Sequence, residues 1–184
     1  YQFISFGGLV KHQDYRPIRT EEWGEDWTIM PVDGYGTPEQ LRAILWSEKP
    51  DILWFMTDPR FFQWLWQMEE EVRYNVPMIY YHVWDNYPYP VFNKAAYESN
   101  DFIATISKLT DDIIKTVAPT VKSSYIPHAV DMDVFRRMDT EEVKVLRKDN
   151  FKENADKFIV FWNNRNARRK MGGSLILWFK EFLG

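Results

Sequence analysis

Cysteine is absent from this chain. Disulfides and thiolate metal sites are therefore excluded, and nothing in the composition asks for an oxidising compartment. No run of about 18 apolar residues occurs, so a membrane-spanning helix is not expected. The opening residues, Tyr1-Gln2-Phe3-Ile4-Ser5-Phe6, carry neither an initiator methionine nor a secretory signal pattern, and they read as a strand already under way. The expectation is a cytoplasmic protein, seen as a fragment whose first strand and helix are missing. Basic excess is lacking too. A net charge of −4 argues against a sequence-nonspecific nucleic-acid binder, and no nucleic-acid partner is expected. Neither a Walker P-loop nor a G-x-G-x-x-G turn is present, which leaves a P-loop NTPase or a dinucleotide dehydrogenase poorly supported. Only 3 histidines occur, and His82 and His128 lack partners at zincin-like spacing. No metal or cofactor is expected.

Aromatic residues are abundant, at 17% with 9 tryptophans. Trp46, Trp54, Trp64 and Trp66 lie in apolar-periodic segments, where packing explains them. The sharper alternative is that some form platforms for sugar rings or bases. The hydrophobic share of 45% and charged share of 27% fit a globular chain, and 184 residues suffice for one ordinary domain and part of another.

Along the chain, strand patterns alternate with helix patterns. The first apolar run exits at Gly7-Gly8, and Asp26 to Val32 forms a second strand. Thr37, Pro38 and Gln40 then punctuate a helix start, with Leu41, Ile44 and Leu45 on its apolar face, and the helix should end before Pro50. Asp51 to Met56 is a continuous apolar run, as expected of a strand covered on both faces. Asp58 can cap a helix running to about Val72. Pro77 to Tyr81 is the next buried strand, with His82, Trp84 and Asp85 at its carboxyl end. A short helix around Ala95 to Glu98 leads to the strand Phe102 to Ile106, after which Ser107 caps a helix bearing Asp111 and Asp112 in its first turns. This alternation predicts an α/β fold, a Rossmann-like parallel sheet with helices on both faces.

The stretch Tyr125 to Phe135 reads as a seam between domains: a short apolar strand ending in Pro127, a turn around His128 and Asp131, and Phe135 buried. Glu141 to Lys148 suits a surface helix within a charged connector. Phe158 to Trp162 is expected to be a buried strand, followed by a basic turn and a helix from Ser174 to Phe182. The organisation is an acceptor-side domain over 1–127, a hinge and linker over 128–156, and the first strand-helix unit of a second Rossmann-like domain over 157–184.

In open parallel sheets ligands bind beyond the carboxyl ends of the strands. Gly7, Gly8, Asp58, His82, Asp85, Ser107 and the Arg165 to Lys170 turn all fall there. At His82, an imidazole oriented by Asp85 could hydrogen-bond a sugar hydroxyl or help position a reacting carbon, though a structural histidine is an equal reading. Arg165 to Lys170 holds three arginines and a lysine at a strand-to-helix turn, where guanidinium groups and free backbone N–H groups suit a diphosphate.

Several of these stretches together resemble the family 4 retaining glycosyltransferases of the GT-B fold. Ile126-Pro127-His128-Ala129-Val130-Asp131 with Phe135 is similar to that family's I-P-N-G-V-D…F segment, which joins its two domains. Arg165 and Lys170 resemble its G-R-x-x-x-x-K-G element, implying contacts to the donor diphosphate. His82 resembles the histidine beside the transferred sugar, and Ser107-Lys108 resembles the strand exit before the seam. His128-Ala129 departs from Asn-Gly, Asn164 stands in place of Gly, and the family's E-x7-E element does not occur.

The resemblance implies a hexosyltransferase moving a sugar from a nucleotide-sugar donor to an acceptor (a saccharide, a lipid-linked saccharide or a protein) with retention and without metal. His82 would be catalytic and Arg165 and Lys170 would bind the diphosphate. Gly7, Gly8, Asp58, Asp85 and Ser107 would line the acceptor or sugar side, and His128 and Asp131 would form the hinge. The alternatives are a nucleotide-sugar epimerase of the same architecture and a non-catalytic carbohydrate-binding or interaction module. The residues do not specify base, sugar, acceptor or oligomeric state.

Overall fold

The structure, a computed structural model, describes residues 1–8 and 11–184. The chain divides into two units, Tyr1–Ala129 and Val130–Gly184.

The first unit holds two sheets. In the smaller one, β1 (Phe3–Gly7), β2 (Ile18–Arg19) and β3 (Trp27–Pro31) lie in the order β1-β3-β2, with β1 parallel and β2 antiparallel to β3. Both glycines at the exit of β1 are required by close packing. A Cβ on Gly7 would sit 2.7 Å from the Ile29 Cγ2 methyl, and one on Gly8 would collide with the Gly34 carbonyl. The larger sheet has β4 (Leu53–Met56), β5 (Met78–His82), β6 (Phe102–Thr105) and β7 (Ser123–Tyr125), ordered β4-β5-β6-β7 and all parallel. Among the described residues there are thus two sheets where one was expected, the larger of them consistent with a Rossmann-like fold.

Helix α1 (Pro38–Glu48) starts where its punctuation demands. The Thr37 hydroxyl accepts the Gln40 N–H, Pro38 takes the first turn, and Lys49 closes it in a left-handed conformation at φ 48°. The single helix expected over 58–72 is instead a tight turn at Pro59–Phe62, then α2 (Gln63–Gln67) and α3 (Glu69–Asn75). The break falls at Met68, whose N–H bonds back to the Leu65 carbonyl at 3.1 Å, and Leu65, Met68 and Val72 are all buried. Helices α4 (Lys94–Glu98) and α5 (Lys108–Val117) complete the crossovers.

The expectation of helices on both faces holds for one face only. Phe55, Met78, Tyr80 and Ile103 form one cluster with Leu65 and Val72 from α2 and α3, Tyr97 from α4, and Ile113, Ile114 and Val117 from α5. Right-handed crossovers that all step in one direction lay their helices on the same face. The alternate residues of β4 accordingly stand open, Trp54 at 56% and Met56 at 43% exposure. The reading of β4 as covered on both faces is corrected by this asymmetry.

The second unit contains α6 (Thr140–Phe151) and α7 (Gly172–Leu183). A reciprocal capping box sets the start of α6, with the Asp139 carboxylate accepting the Glu142 N–H and Glu142 accepting the Asp139 N–H. Arg136 grips Glu142 through two bonds of 2.9 and 2.6 Å, and with that guanidinium beside it the Glu142 carboxyl falls to about 2. Phe158 to Trp162 forms no strand, contrary to expectation, and Phe158 and Phe161 are exposed. A strand needs a neighbour for its N–H and C=O groups, and 130–184 offers none. Nor is Phe135 buried. The Asp131 carbonyl accepts the Phe135 N–H at 2.7 Å, a local turn that leaves the ring in solvent. No residue of this unit is buried, and the apolar side chains of α7, among them Ile176, Trp178 and Phe182, are exposed. Among the described residues no helix is long and apolar enough to cross a membrane.

Candidate functional site

Parallel pairing sets the carboxyl ends of β4 to β7 side by side, and three of the candidate residues follow directly from that register. His82 pairs with Thr105 across β5 and β6, Asp58 follows β4, and Ser107 follows β6. Their local roles differ.

Asp58 caps the turn after β4. Its Oδ1 accepts the Arg60 N–H at 3.1 Å, and its Oδ2 lies 3.2 Å from the Arg60 guanidinium. Ser107 caps α5, its hydroxyl accepting the Thr110 N–H at 3.1 Å while Thr110 Oγ1 accepts the Ser107 N–H at 2.8 Å. Both side chains are therefore already engaged by helix termini.

His82 is the last residue of β5. Strand alternation turns it to the same side as Met78 and Tyr80, under the helices, and it is fully buried. Its ring centroid lies 5.2 Å from that of Tyr80 and 4.9 Å from that of Tyr97. Nδ1 is 3.3 Å from the Tyr80 hydroxyl, and Nε2 has no hydrogen-bond partner. Burial away from compensating charge pulls the imidazole down to about 3, so the ring is neutral. The Tyr80 hydroxyl donates to the Thr57 carbonyl at 2.5 Å. Burial, the Tyr97 hydroxyl and the Asp58 charge all push the Tyr80 phenol up. Tyr97 is pushed up to about 12 by burial, with an Asn93 hydrogen bond opposing and the Asp58 charge adding to the rise. Tyr80 thus links His82 to the Thr57 carbonyl at the exit of β4.

Asp85 does not orient His82, as had been expected. It is exposed in the coil beyond β5, and Tyr80 is the one hydrogen-bond partner of the ring among the described residues. The chain leaves the sheet after His82, and Asp85 is carried into solvent with it. Tyr80 and Tyr97 were missed in the sequence. Tyr80 could have been found from its i, i+2 spacing to His82, whereas Tyr97 sits on a short helix with no such signal.

On the opposite face of β5, Tyr81 reaches the seam. Its hydroxyl donates to the Ile126 carbonyl at 2.8 Å, and its ring stacks on His128 at 5.2 Å between centroids. His128 is otherwise exposed. Asp131 accepts the Asp133 N–H at 2.9 Å in a local turn. Gly7 has its carbonyl occupied, by His12 Nε2 at 2.6 Å and by the Val32 N–H at 3.1 Å. In the second unit Arg165 is exposed and Lys170 half-buried, at the end of the tight turn Arg168–Lys170. Among the described residues no group of three or more His, Asp or Glu could hold a metal ion. An open groove beside α6, lined by Met138, Val145 and Leu146, contains none of the candidate residues.

No protein-family profile, curated protein or solved structure matches the chain.

Proposed function

We propose that the chain is part of a GT-B glycosyltransferase similar to family 4, moving a sugar from a nucleotide sugar to an acceptor with retention, in the cytoplasm. The observation that carries this reading is the alignment of Asp58, His82, Ser107 and the Ile126-Pro127-His128 seam at the carboxyl edge of one parallel sheet. That edge is where open α/β sheets take ligands. In the proposed chemistry Arg165 and Lys170 stabilise negative charge growing on the leaving nucleoside diphosphate, an electrostatic role. His82 lines the reacting centre through Nε2, which a ligand reaches only if the residues shielding the ring open.

A non-catalytic carbohydrate-binding module is the second reading, favoured by the exposed indoles of Trp46 and Trp54. A thermal melt with UDP, GDP and ADP in turn separates the two. The transferase reading expects at least one diphosphate to raise the melting temperature, since a ligand bound only to the folded state stabilises it by mass action. Stabilisation by saccharides with none by any of the three nucleotides overturns it.

A further inference from the structure

The hydrogen count around His82 goes further than the proposed reading of this site. Tyr80 has one hydroxyl hydrogen. The Thr57 carbonyl can only accept, and it lies 2.5 Å from that hydroxyl. The hydrogen is committed there. At the 3.3 Å contact with His82 the phenol oxygen is left with its lone pairs, so Nδ1 must be the donor. A neutral imidazole carries one N–H, and Nε2 is then an unprotonated acceptor. It is buried and without a partner.

We infer that Tyr80 is a positioning residue that holds His82 in the Nδ1–H tautomer and thereby limits the group Nε2 can meet to a hydrogen-bond donor. The consequence is chemical selectivity. A hydroxyl can satisfy Nε2, whereas a carbonyl, phosphate or carboxylate oxygen facing it would be lone pair against lone pair. If the proposed function holds, His82 takes a sugar or acceptor hydroxyl and has no part in binding the diphosphate. That connection with carbohydrate rests on the transferase reading; the tautomer itself does not.

The test is the imidazole ¹⁵N spectrum of the uniformly ¹⁵N-labelled chain, correlated to the ring carbon-bound protons, with His82→Gln used to assign the signals. The expected result is a protonated Nδ1 and a pyridine-like Nε2 at neutral pH. In Tyr80→Phe, which keeps the ring and removes the hydroxyl, taking away both the acceptor facing Nδ1 and the bond to the Thr57 carbonyl, the Nδ1–H population should fall. A wild-type His82 protonated at Nε2, or doubly protonated, overturns the inference even if Tyr80→Phe fails to fold. An Nδ1–H population that survives intact in a folded Tyr80→Phe overturns it as well. No nucleotide sugar enters the measurement, so a chain showing this tautomer with no nucleotide stabilisation would refute the transferase and leave the role of Tyr80 standing.

Discussion

Tyr81 ties the central strand to the seam: its hydroxyl donates to the Ile126 carbonyl at 2.8 Å, and its ring stacks on the His128 imidazole. Neighbouring residues of β5 thus serve opposite faces, Tyr80 fixing His82 beneath the helices and Tyr81 fixing the exit of β7. Tyr81→Phe keeps the stacking and removes the bond to Ile126 together with the 3.3 Å contact to His128 Nδ1, so urea unfolding should show a loss of about 1–2 kcal/mol. Tyr81→Ala removes the buried ring as well and should lose on the order of 3–5 kcal/mol. Equal stabilities for the wild type and Tyr81→Phe would show that these hydroxyl contacts contribute nothing.

Ser107 closes the N-terminus of α5 through the Thr110 N–H, and this role exists without any ligand. Ser107→Ala should cost about 1 kcal/mol in chemical denaturation, and Ser107→Asp, which keeps a capping oxygen, should restore most of it. If alanine leaves stability unchanged, the capping argument fails.

Arg165 is exposed and forms no ion pair among the described residues, so its removal should hardly alter folding. In the proposed transferase, Arg165→Ala or Lys170→Ala should each lower turnover by on the order of 10²-fold, the scale of losing one charge-stabilising donor. Sugar-transfer assays read this directly. Unchanged turnover in both variants, with melting temperatures also unchanged, would remove the two side chains from the mechanism.

Local chemistry made much of the first unit legible. Thr37-Pro38 starts α1, Ser107 caps α5, and the apolar runs of β4, β5 and β6 are all strands. Direction of burial was harder to read. An apolar run such as Leu53 to Met56 does not say whether one face or two are covered; the one-way order β4-β5-β6-β7 decides it, and Trp54 is left open. Phe158 to Trp162 has the composition of a strand but no strand beside it, so pairing overrides propensity. At the candidate site the histidine could be found and its partner could not. Asp85 is close in sequence, yet it lies exposed in the coil beyond β5, whereas strand alternation puts Tyr80 on the same side as His82 and makes it the neighbour.

The burial of His82 sets a pH dependence whose sign can be worked out. In the unfolded chain an imidazole titrates at about 6.5, whereas in the fold burial lowers it to about 3. Between those values the unfolded state binds the extra proton, so unfolding becomes easier as pH falls. The stability linked to this ring is complete above about pH 6.5 and is lost progressively below it, by at most about 1.4 kcal/mol per pH unit. The groups around it do not reverse the sign. Tyr80 and Tyr97 stay protonated throughout, and Asp58 is common to wild type and variant. Urea unfolding at pH 7, 6, 5 and 4 should therefore show wild-type stability falling more steeply than that of His82→Gln, with the two curves parallel above about pH 7. Parallel curves across the whole range would mean that the imidazole is not held neutral in the core, and the assignment of Nε2 as a buried acceptor would fall with it.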